Sequence, residues 1–252
     1  MTRRVAPAAG TTSRSERRTD ERYLNRSRAA LAGGVLLIAA VLVVGFAIPS
    51  GPRPIDRSWA ELMAHAQTDA LHALALVLNA LGRGLGVLVL AAIGGVLALE
   101  RRWHSLVAFV VAEGLTTLTV HVIKSEVARP RPPDQLLHAA STSYPSGHTA
   151  SAAATMVAAV LLFTSPGRRR RRWWALAAIG TAAMGWSRTY LQVHWLTDVI
   201  AGAMLGVGVT LAVFAVSQTL RRRATPVTLR LGAFVGVGPA ADDKVCDRHD
   251  AQ

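Results

Sequence analysis

Residues 187–198 have the sequence SRTYLQVHWLTD, and an apolar run from Val199 to Leu220 follows them directly. If a helix begins near His194, then His194 and Asp198 lie one turn apart on the same helical face. The carboxylate can accept the proton of one imidazole nitrogen, which leaves the other nitrogen available as a base, ligand or nucleophile. Arg188 adds a planar, permanently charged guanidinium that suits phosphate. Taken alone, the stretch also fits a simple His–Asp pair at a helix end with an interfacial arginine.

The composition indicates an all-α protein embedded in a membrane. Hydrophobic residues make up 51% of the 252 residues, and they occur in blocks. Ala29 to Ile48 contains no charged side chain, and at about 1.5 Å rise per residue such a block crosses a bilayer as a helix. A cleaved signal peptide is the alternative for residues 1–48, but the apolar core of such peptides usually has only about 7–15 residues.

The formal net charge of +13 is concentrated at the ends of the apolar blocks. The arginines that cluster in residues 1–28, 101–102, 168–172 and 221–223 favour the cytoplasmic side, by the positive-inside rule. The sequence shows no basic surface with interspersed aromatic residues and no motif of a nucleic-acid-binding domain, so it predicts no nucleic-acid partner. The single cysteine, Cys246, excludes an intrachain disulfide.

Six spans with both tails inside account for every arginine cluster. The predicted organisation is a disordered basic cytoplasmic tail, a six-helix membrane domain and a second cytoplasmic tail, over residues 1–28, 29–222 and 223–252. The spans lie near residues 29–48, 79–99, 105–123, 149–165, 173–187 and 199–220. Loops 124–148 and 187–194 then share the extracytoplasmic face.

Two features inside the predicted spans concern helix packing. Gly202 and Gly206 have the spacing that permits close approach of a neighbouring helix. Glu113 is the one carboxylate deep in a predicted span, so it requires a polar partner. It shares a helical face with Thr117, His121 and Lys124, and we expect this face to point into the bundle.

Two further blocks lie on the same predicted side as residues 187–194. The first is Lys124 with Arg131 seven residues later, held by prolines that stiffen the backbone. The second contains Ser146, a plausible helix cap, Gly147, which lets an anion approach backbone N–H groups, and His148 in the first helical turn. Each block alone also fits a purely structural interpretation. The first fits a loop whose cations contact lipid headgroups, and the second fits an ordinary turn with a capping serine.

The three blocks together predict a phosphate site. They gather three cations, a helix N-terminus and two histidines. No cluster of carboxylates is available for Mg²⁺ or Ca²⁺, and no His/Cys set has zinc spacing. The sequence therefore predicts chemistry that needs neither a metal nor a cofactor.

At these positions the chain resembles the type 2 phosphatidic acid phosphatase (PAP2) superfamily, which shares its site with the vanadium haloperoxidases. The family pattern is Lys-x6-Arg-Pro, then Pro-Ser-Gly-His, then Ser-Arg-x5-His-x3-Asp. The chain meets it in full with Lys124…Arg131-Pro132, residues 145–148 and residues 187–198. The resemblance covers about residues 55–220 and implies a helical core of the haloperoxidase type within six transmembrane helices.

The resemblance also implies the role of each site residue. His194 is expected to be the nucleophile that forms a phosphohistidine, Asp198 its orienting partner and His148 the acid that protonates the leaving oxygen. The phosphate group is expected to be bound by Lys124, Arg131, Ser146, Gly147 and Arg188. Many relatives have Gly and Pro where this chain has Gln192 and Leu196, a departure that bears on the loop and on substrate fit.

The resemblance implies a phosphatase that acts on a lipid-linked phosphate or diphosphate at the outer face of a bacterial cell membrane. Prenyl diphosphates such as undecaprenyl diphosphate, phosphatidic acid and phosphatidylglycerophosphate are the candidate substrates, and membrane lipids are the other partner. One alternative is a phosphotransferase with an acceptor other than water. Another is a non-catalytic lipid-phosphate binder or transport component, which has no need of a His–Asp pair. A vanadate-dependent oxidase fits a small membrane-embedded chain less well. The sequence leaves the lipid and the oligomeric state open.

Overall fold

The computed structural model describes residues 14–47, 51–82 and 84–234, and this part of the chain contains eight α-helices and no strand. The predicted all-α class is confirmed. In chain order the helices are α1 (Arg14–Ala47), α2 (Pro54–His65), α3 (Asp69–Leu81), α4 (Gly84–Leu99), α5 (Trp103–Val127), α6 (Gly147–Phe163), α7 (Arg168–Tyr190) and α8 (Leu196–Phe234).

Among the described residues, three helices are long and apolar enough to cross a membrane. They are Leu24–Ala47 within α1, Trp103–Val127 and Leu196–Arg222 within α8. Helices α3 and α4 meet at a 46° bend and together form a possible fourth span, while α6 is a shorter apolar helix. The predicted count of six spans is therefore only approximate. The predicted fifth span lies in α7, which begins with five arginines and has another in its last turn.

The helices at the two chain ends extend into the segments predicted to be tails. Helix α1 begins at Arg14, inside the segment predicted to be disordered, and α8 continues to Phe234. Arginine and glutamate are good helix formers, so a helix fixed by an apolar span can continue into such sequence. Residues 1–13 and 235–252, which complete the two predicted tails, lie outside the described residues.

Helix α8 packs mainly against α1 and α6, and glycines permit both contacts. A Cβ added at Gly206 would overlap the backbone carbonyl oxygen of Ala150, and one at Gly202 would overlap that of Ser146. On the other side of α8, a Cβ at Gly34 would lie 2.5 Å from the carbonyl oxygen of Gly208. The close-packing face predicted at Gly202 and Gly206 is confirmed.

Apolar packing holds α2 and α3 against the segment between α7 and α8. Buried residues of this cluster are Met63 in α2, Ala75 in α3, and Tyr190, Leu191 and Val193. The hydroxyl of Tyr190 also accepts the backbone N–H of Thr68, which caps α3 (2.9 Å). The segment that carries His194 is thus held in place by contacts with both α2 and α3.

Glu113 has the polar partner that its depth in the membrane requires, but its helical face is not an inward stripe. Thr155 and Ser151 of α6 donate hydrogen bonds to its two carboxylate oxygens, at 2.7 and 3.3 Å. Thr117 and His121 are exposed, so the expectation that the whole face points into the bundle is wrong. Glu113 instead joins α5 to α6, because α6 presents hydroxyls toward α5 at this depth.

We predict that Gly206→Ala destabilises the protein, because the added methyl group meets backbone that cannot rotate away. Overpacking of this kind costs about 1–3 kcal/mol, against about 1 kcal/mol of gained helix propensity. Thermal unfolding in detergent is the measurement. Gly95→Ala is the matched control, because a Cβ there has nothing within 4 Å, and it should unfold at or above the wild-type temperature. Equal unfolding temperatures for the two variants would contradict the packing argument.

Candidate active site

The structure brings the predicted site residues to one end of the bundle, where four helices begin or end. Lys124 lies in the last turn of α5 and Arg188 in the last turn of α7. Helix α6 begins at Gly147, followed by His148, and Asp198 lies in the first turn of α8. Arg131 and His194 occupy the connecting loops. The backbone N–H of Ser146 donates to the carbonyl oxygen of Asp198 at 2.9 Å, which joins the starts of α6 and α8.

The His194 imidazole lies between a carboxylate and a guanidinium. Its Nδ1 lies 3.6 Å from Asp198 Oδ2 and 3.4 Å from Ser143 Oγ. Its Nε2 lies 3.3 Å from Arg131 Nη1. Because the carboxylate favours an N–H on Nδ1, the lone pair falls on Nε2, the nitrogen next to the cation that would hold a phosphate group.

The pairing of His194 with Asp198 comes from a helix cap. Helix α8 begins at Leu196, two residues after His194. The Asp198 carboxylate reaches back to accept the backbone N–H of Trp195 at 2.9 Å, as an acidic residue in the first turn of a helix commonly does. The expected proximity is present, with His194 in the loop that precedes the helix.

Burial determines the charge of His194. The side chain is 4% exposed, and desolvation lowers the pKa of His194 to about 4 although Asp198 opposes this change. The ring is therefore neutral near pH 7. A neutral imidazole with a lone pair on Nε2 is the form that a nucleophile requires.

Backbone carbonyls orient the two cations nearest to His194. Lys124 Nζ donates to the carbonyl oxygens of Thr142 and Ser143. Arg131 Nη1 donates to the carbonyl oxygen of Val193, and its Nη2 donates to that of Thr142 at 3.3 Å. Both cations thus meet at the carbonyl oxygen of Thr142, and Arg131 also lies beside the His194 ring, so an anion there would find two positive groups.

Ser146 occupies the cap position of α6, as predicted, but its side chain makes no capping bond to the backbone. Its hydroxyl instead pairs with the hydroxyl of Thr149 at 3.0 Å. The Ser146 carbonyl oxygen accepts the backbone N–H of Ala150, which forms the first turn of the helix. Gly147 is the first residue of α6, where backbone N–H groups lack partners within the helix and suit an anion.

His148 borders an apolar cavity. A Cβ added at Gly82 would lie 2.5 Å from its Cδ2, so the ring packs closely against the end of α3. The cavity has a volume of about 320 Å³ and lies among α3, α4, α6 and α7. Most of its lining is aliphatic, and Leu78, Val87, Met156 and Met184 are members. The imidazole of His148 therefore lies at the start of α6 with an apolar space beside it.

Three residues that no motif indicated also hold the site. Arg129 is fully buried and donates to Asp198 Oδ1 through Nη1 and to Asp56 Oδ2 through Nη2, the latter at 2.7 Å. Ser143 Oγ donates to Asp198 Oδ2. A proline-flanked second arginine next to Arg131 was the available signal for Arg129. Asp56 and Ser143 have no local pattern that points to them.

Arg188 is held from a different helix. It is 3% exposed, and its Nη1 donates to Asn79 Oδ1 of α3 at 2.6 Å. Its carbonyl oxygen accepts the backbone N–H of Val193 at 3.1 Å. A backbone hydrogen bond thus joins Arg188 to the loop that carries His194, whereas Asn79 was predicted only as the start of a span.

Gln192 shows what the departure from glycine does to the loop. Its φ is 53°, in the left-handed region where glycine is favoured. The side chain is buried and its Nε2 donates to the carbonyl oxygen of Ala60 in α2 at 2.9 Å. The strain of a non-glycine residue is thus accompanied by a bond that ties the loop to α2.

Comparisons with known proteins agree with this geometry. The family model of the PAP2 superfamily matches residues 105–222, and no curated protein matches the chain. Two solved structures match it. The first transmembrane PAP2 type phosphatidylglycerolphosphate phosphatase from Bacillus subtilis is 25% identical, with a TM-score of 0.66 over 74% of this chain and 96% of that one. Aquifex aeolicus LpxE is 23% identical, with a TM-score of 0.51 over 62% and 92%. The sequence motifs, the family match and the fold all coincide over the residues that form the site, so this part of the chain, residues 105–222, is similar to the PAP2 superfamily.

Proposed function

We propose that this protein is a phosphatase that removes phosphate from a lipid-linked phosphate or diphosphate through a phosphohistidine on His194. The observation that carries the proposal is the orientation of the His194 ring, with Nδ1 toward Asp198 and Nε2 toward Arg131. A neutral imidazole with its lone pair directed at a phosphate-binding cation is arranged for attack on phosphorus.

In the first step, His194 Nε2 attacks phosphorus and the bond between phosphorus and the leaving oxygen breaks. His148 donates a proton to that oxygen, and the leaving group departs as a lipid alcohol from a monophosphate or as a lipid monophosphate from a diphosphate. Asp198 accepts the hydrogen bond of Nδ1–H and offsets the positive charge that the ring gains. Lys124, Arg131 and Arg188, with the backbone N–H groups at Gly147, balance the negative charge of the phosphoryl oxygens.

In the second step, water attacks the phosphorus of the phosphohistidine, and the bond between phosphorus and Nε2 breaks. His148, now neutral, takes a proton from that water, so each cycle returns both histidines to their starting forms. Inorganic phosphate leaves. The cycle has no net demand for protons beyond those of substrate and water.

The apolar cavity beside His148 supports a lipid as the leaving group. The oxygen that His148 protonates carries the hydrocarbon part of the substrate, and the cavity places aliphatic side chains next to that position. The Bacillus subtilis protein is named a phosphatidylglycerolphosphate phosphatase. Phosphatidylglycerolphosphate carries a phosphate on a lipid headgroup. Prenyl phosphates and diphosphates and phosphatidic acid offer the same combination of phosphate and hydrocarbon.

We place the active site at the extracytoplasmic face of a cell membrane. Along α5 and α6, the site residues lie at one helix end, whereas Arg101, Arg102 and Arg168–Arg172 adjoin the opposite ends. The start of α8 holds Asp198, and Arg221 and Arg222 follow its apolar part. By the positive-inside rule, the arginine-rich end faces the cytoplasm.

Cysteine labelling tests this orientation. In a Cys246→Ser background, we expect Thr142→Cys to react with an impermeant maleimide in intact cells and Gly167→Cys to react only after permeabilisation. Residue 142 belongs to the site and residue 167 precedes the five arginines of α7. Labelling of residue 167 without labelling of residue 142 in intact cells would place the site in the cytoplasm.

The two histidines should separate according to the leaving group. We expect His194→Ala to abolish turnover of every substrate, because every reaction needs the nucleophile. His148→Ala should lower the rate on lipid monophosphates by about 10²–10⁴-fold, because an alkoxide leaves poorly without a proton. It should still release a burst of p-nitrophenol from p-nitrophenyl phosphate, since that leaving group needs no acid.

Phosphate release and p-nitrophenol absorbance in detergent micelles are the measurements. His104→Ala is the matched control, because His104 is exposed at the other end of α5. It should retain wild-type rates on both substrates. The reverse pattern, with His194→Ala active on p-nitrophenyl phosphate and His148→Ala inactive, would show that the two roles are exchanged.

A further inference from the structure

Asp56, Arg129 and Asp198 form a continuous chain of buried charged side chains next to His194. Arg129 is 1% exposed and both carboxylates are 0% exposed. One guanidinium bridges the two acids, with Nη1 on Asp198 Oδ1 and Nη2 on Asp56 Oδ2. Buried ionised groups persist only when they are paired, so each member depends on the others.

Among the described residues, Arg129 is the only hydrogen-bond donor to Asp198 Oδ1, the carboxylate oxygen that is not paired with His194. Asp198 Oδ2 accepts from Ser143 Oγ and from the Trp195 backbone N–H and faces His194, whereas Oδ1 accepts from Arg129. Bonds at both oxygens remove rotation about the side-chain torsion. The direction in which Asp198 presents Oδ2 to the imidazole is therefore determined in part by Arg129.

Asp56 is held firmly in its own place by the first residues of α8. Thr197 donates to Asp56 Oδ1 from its backbone N–H and from its hydroxyl, both at 2.9 Å. Asp56 Oδ2 also accepts the backbone N–H of Arg53 and so caps the start of α2. Helix α2 lies before the part of the chain that matches the family model, yet it supplies a charge to the active site.

The net charge of the group formed by Asp56, Arg129 and Asp198 matters as well as its hydrogen bonds. With a single carboxylate partner, a buried guanidinium would neutralise Asp198 and weaken its attraction for the imidazolium-like ring of a phosphohistidine. With two carboxylates the guanidinium is shared, and the three groups together retain one negative charge beside His194. In a poorly solvated site this difference is strong, because Coulomb interactions increase as the dielectric constant falls.

We propose that Asp56 and Arg129 are a positioning pair for the Asp198–His194 couple. Arg129 fixes the orientation of the Asp198 carboxylate, and Asp56 offsets the charge of Arg129 so that Asp198 remains a full counter-charge to the nucleophile. Neither residue touches the substrate, and both act through Asp198. The inference rests on the proposed role of His194 as nucleophile.

The test compares Asp56→Asn with the wild type, because asparagine has nearly the same shape and keeps an oxygen that can accept the Thr197 N–H. We expect kcat on a lipid monophosphate to fall by about 10²-fold, the usual effect of a displaced catalytic group. KM should stay within about twofold, since the cations that bind phosphate are unchanged. Glu61→Gln is the matched control, an acid-to-amide change at an exposed position of α2, and it should leave kcat unchanged.

Rates are expressed per folded enzyme, quantified by size-exclusion chromatography and tryptophan-monitored unfolding. A purely structural role for Asp56 would lower the yield and the unfolding temperature and leave kcat per folded enzyme at the wild-type value. If Asp56→Asn is not recovered folded, the double variant Asp56→Asn/Arg129→Met replaces it in the same assay. This variant leaves no unpaired charge at these two positions. The same fall in kcat at constant KM is expected, since Asp198 Oδ1 has lost its donor.

Wild-type kcat per folded enzyme in the variant that folds, or a rise in KM at unchanged kcat, would overturn the inference. His194→Ala is assayed in parallel to separate this result from a failure of the proposed function. An inactive His194→Ala beside a fully active Asp56→Asn would overturn the positioning role alone. Turnover by His194→Ala would overturn the nucleophile assignment and the positioning role with it.

Discussion

The active-site end of this protein depends on the need to satisfy one fully buried carboxylate. Asp198 has donors at both oxygens, and these donors come from Arg129, Ser143 and the Trp195 backbone. They belong to the loop between α5 and α6 and to the turn before α8, so the chain must bring these segments together to keep the charge paired. The fixed position of the imidazole follows from that requirement, because its Nδ1 faces the same carboxylate oxygen.

The membrane decides where such a site can form. Inside the hydrocarbon region the backbone must satisfy its own polar groups, so the spans are regular helices with few polar side chains. Helix ends and connecting loops carry the exceptions, and here they supply N–H groups at Gly147 and carbonyl oxygens at Thr142, Ser143 and Val193 that orient Lys124 and Arg131. Glu113 is one such exception within α5, and hydroxyls of Ser151 and Thr155 satisfy it.

The sequence predicted the helical class, the membrane location and the set of residues gathered at the site, because the motifs lie next to apolar spans whose ends must share a membrane face. It did not predict Asp56, Asn79 or Ser143, since their partners lie far along the chain and only tertiary packing selects them. The spans predicted from the sequence were also more uniform in length and polarity than the helices that the structure shows. Helices α3 and α4 are separated by a bend, and α7 carries arginines at both ends, features that hydropathy windows average away.

The contact between α6 and α8 connects helix packing in the membrane to the geometry of the site around His194. Gly202 lacks a side chain, and a Cβ there would overlap the carbonyl oxygen of Ser146. The N–H of that same Ser146 donates to the carbonyl oxygen of Asp198, one turn earlier on α8. The small residue of a packing motif therefore sets the separation between the start of α6 and the start of α8, which carries Asp198. Because hydrogen bonds between backbone groups tolerate only small changes in length, a larger residue at Gly202 would displace the start of α6 from His194 without altering any of the residues that we propose to bind phosphate.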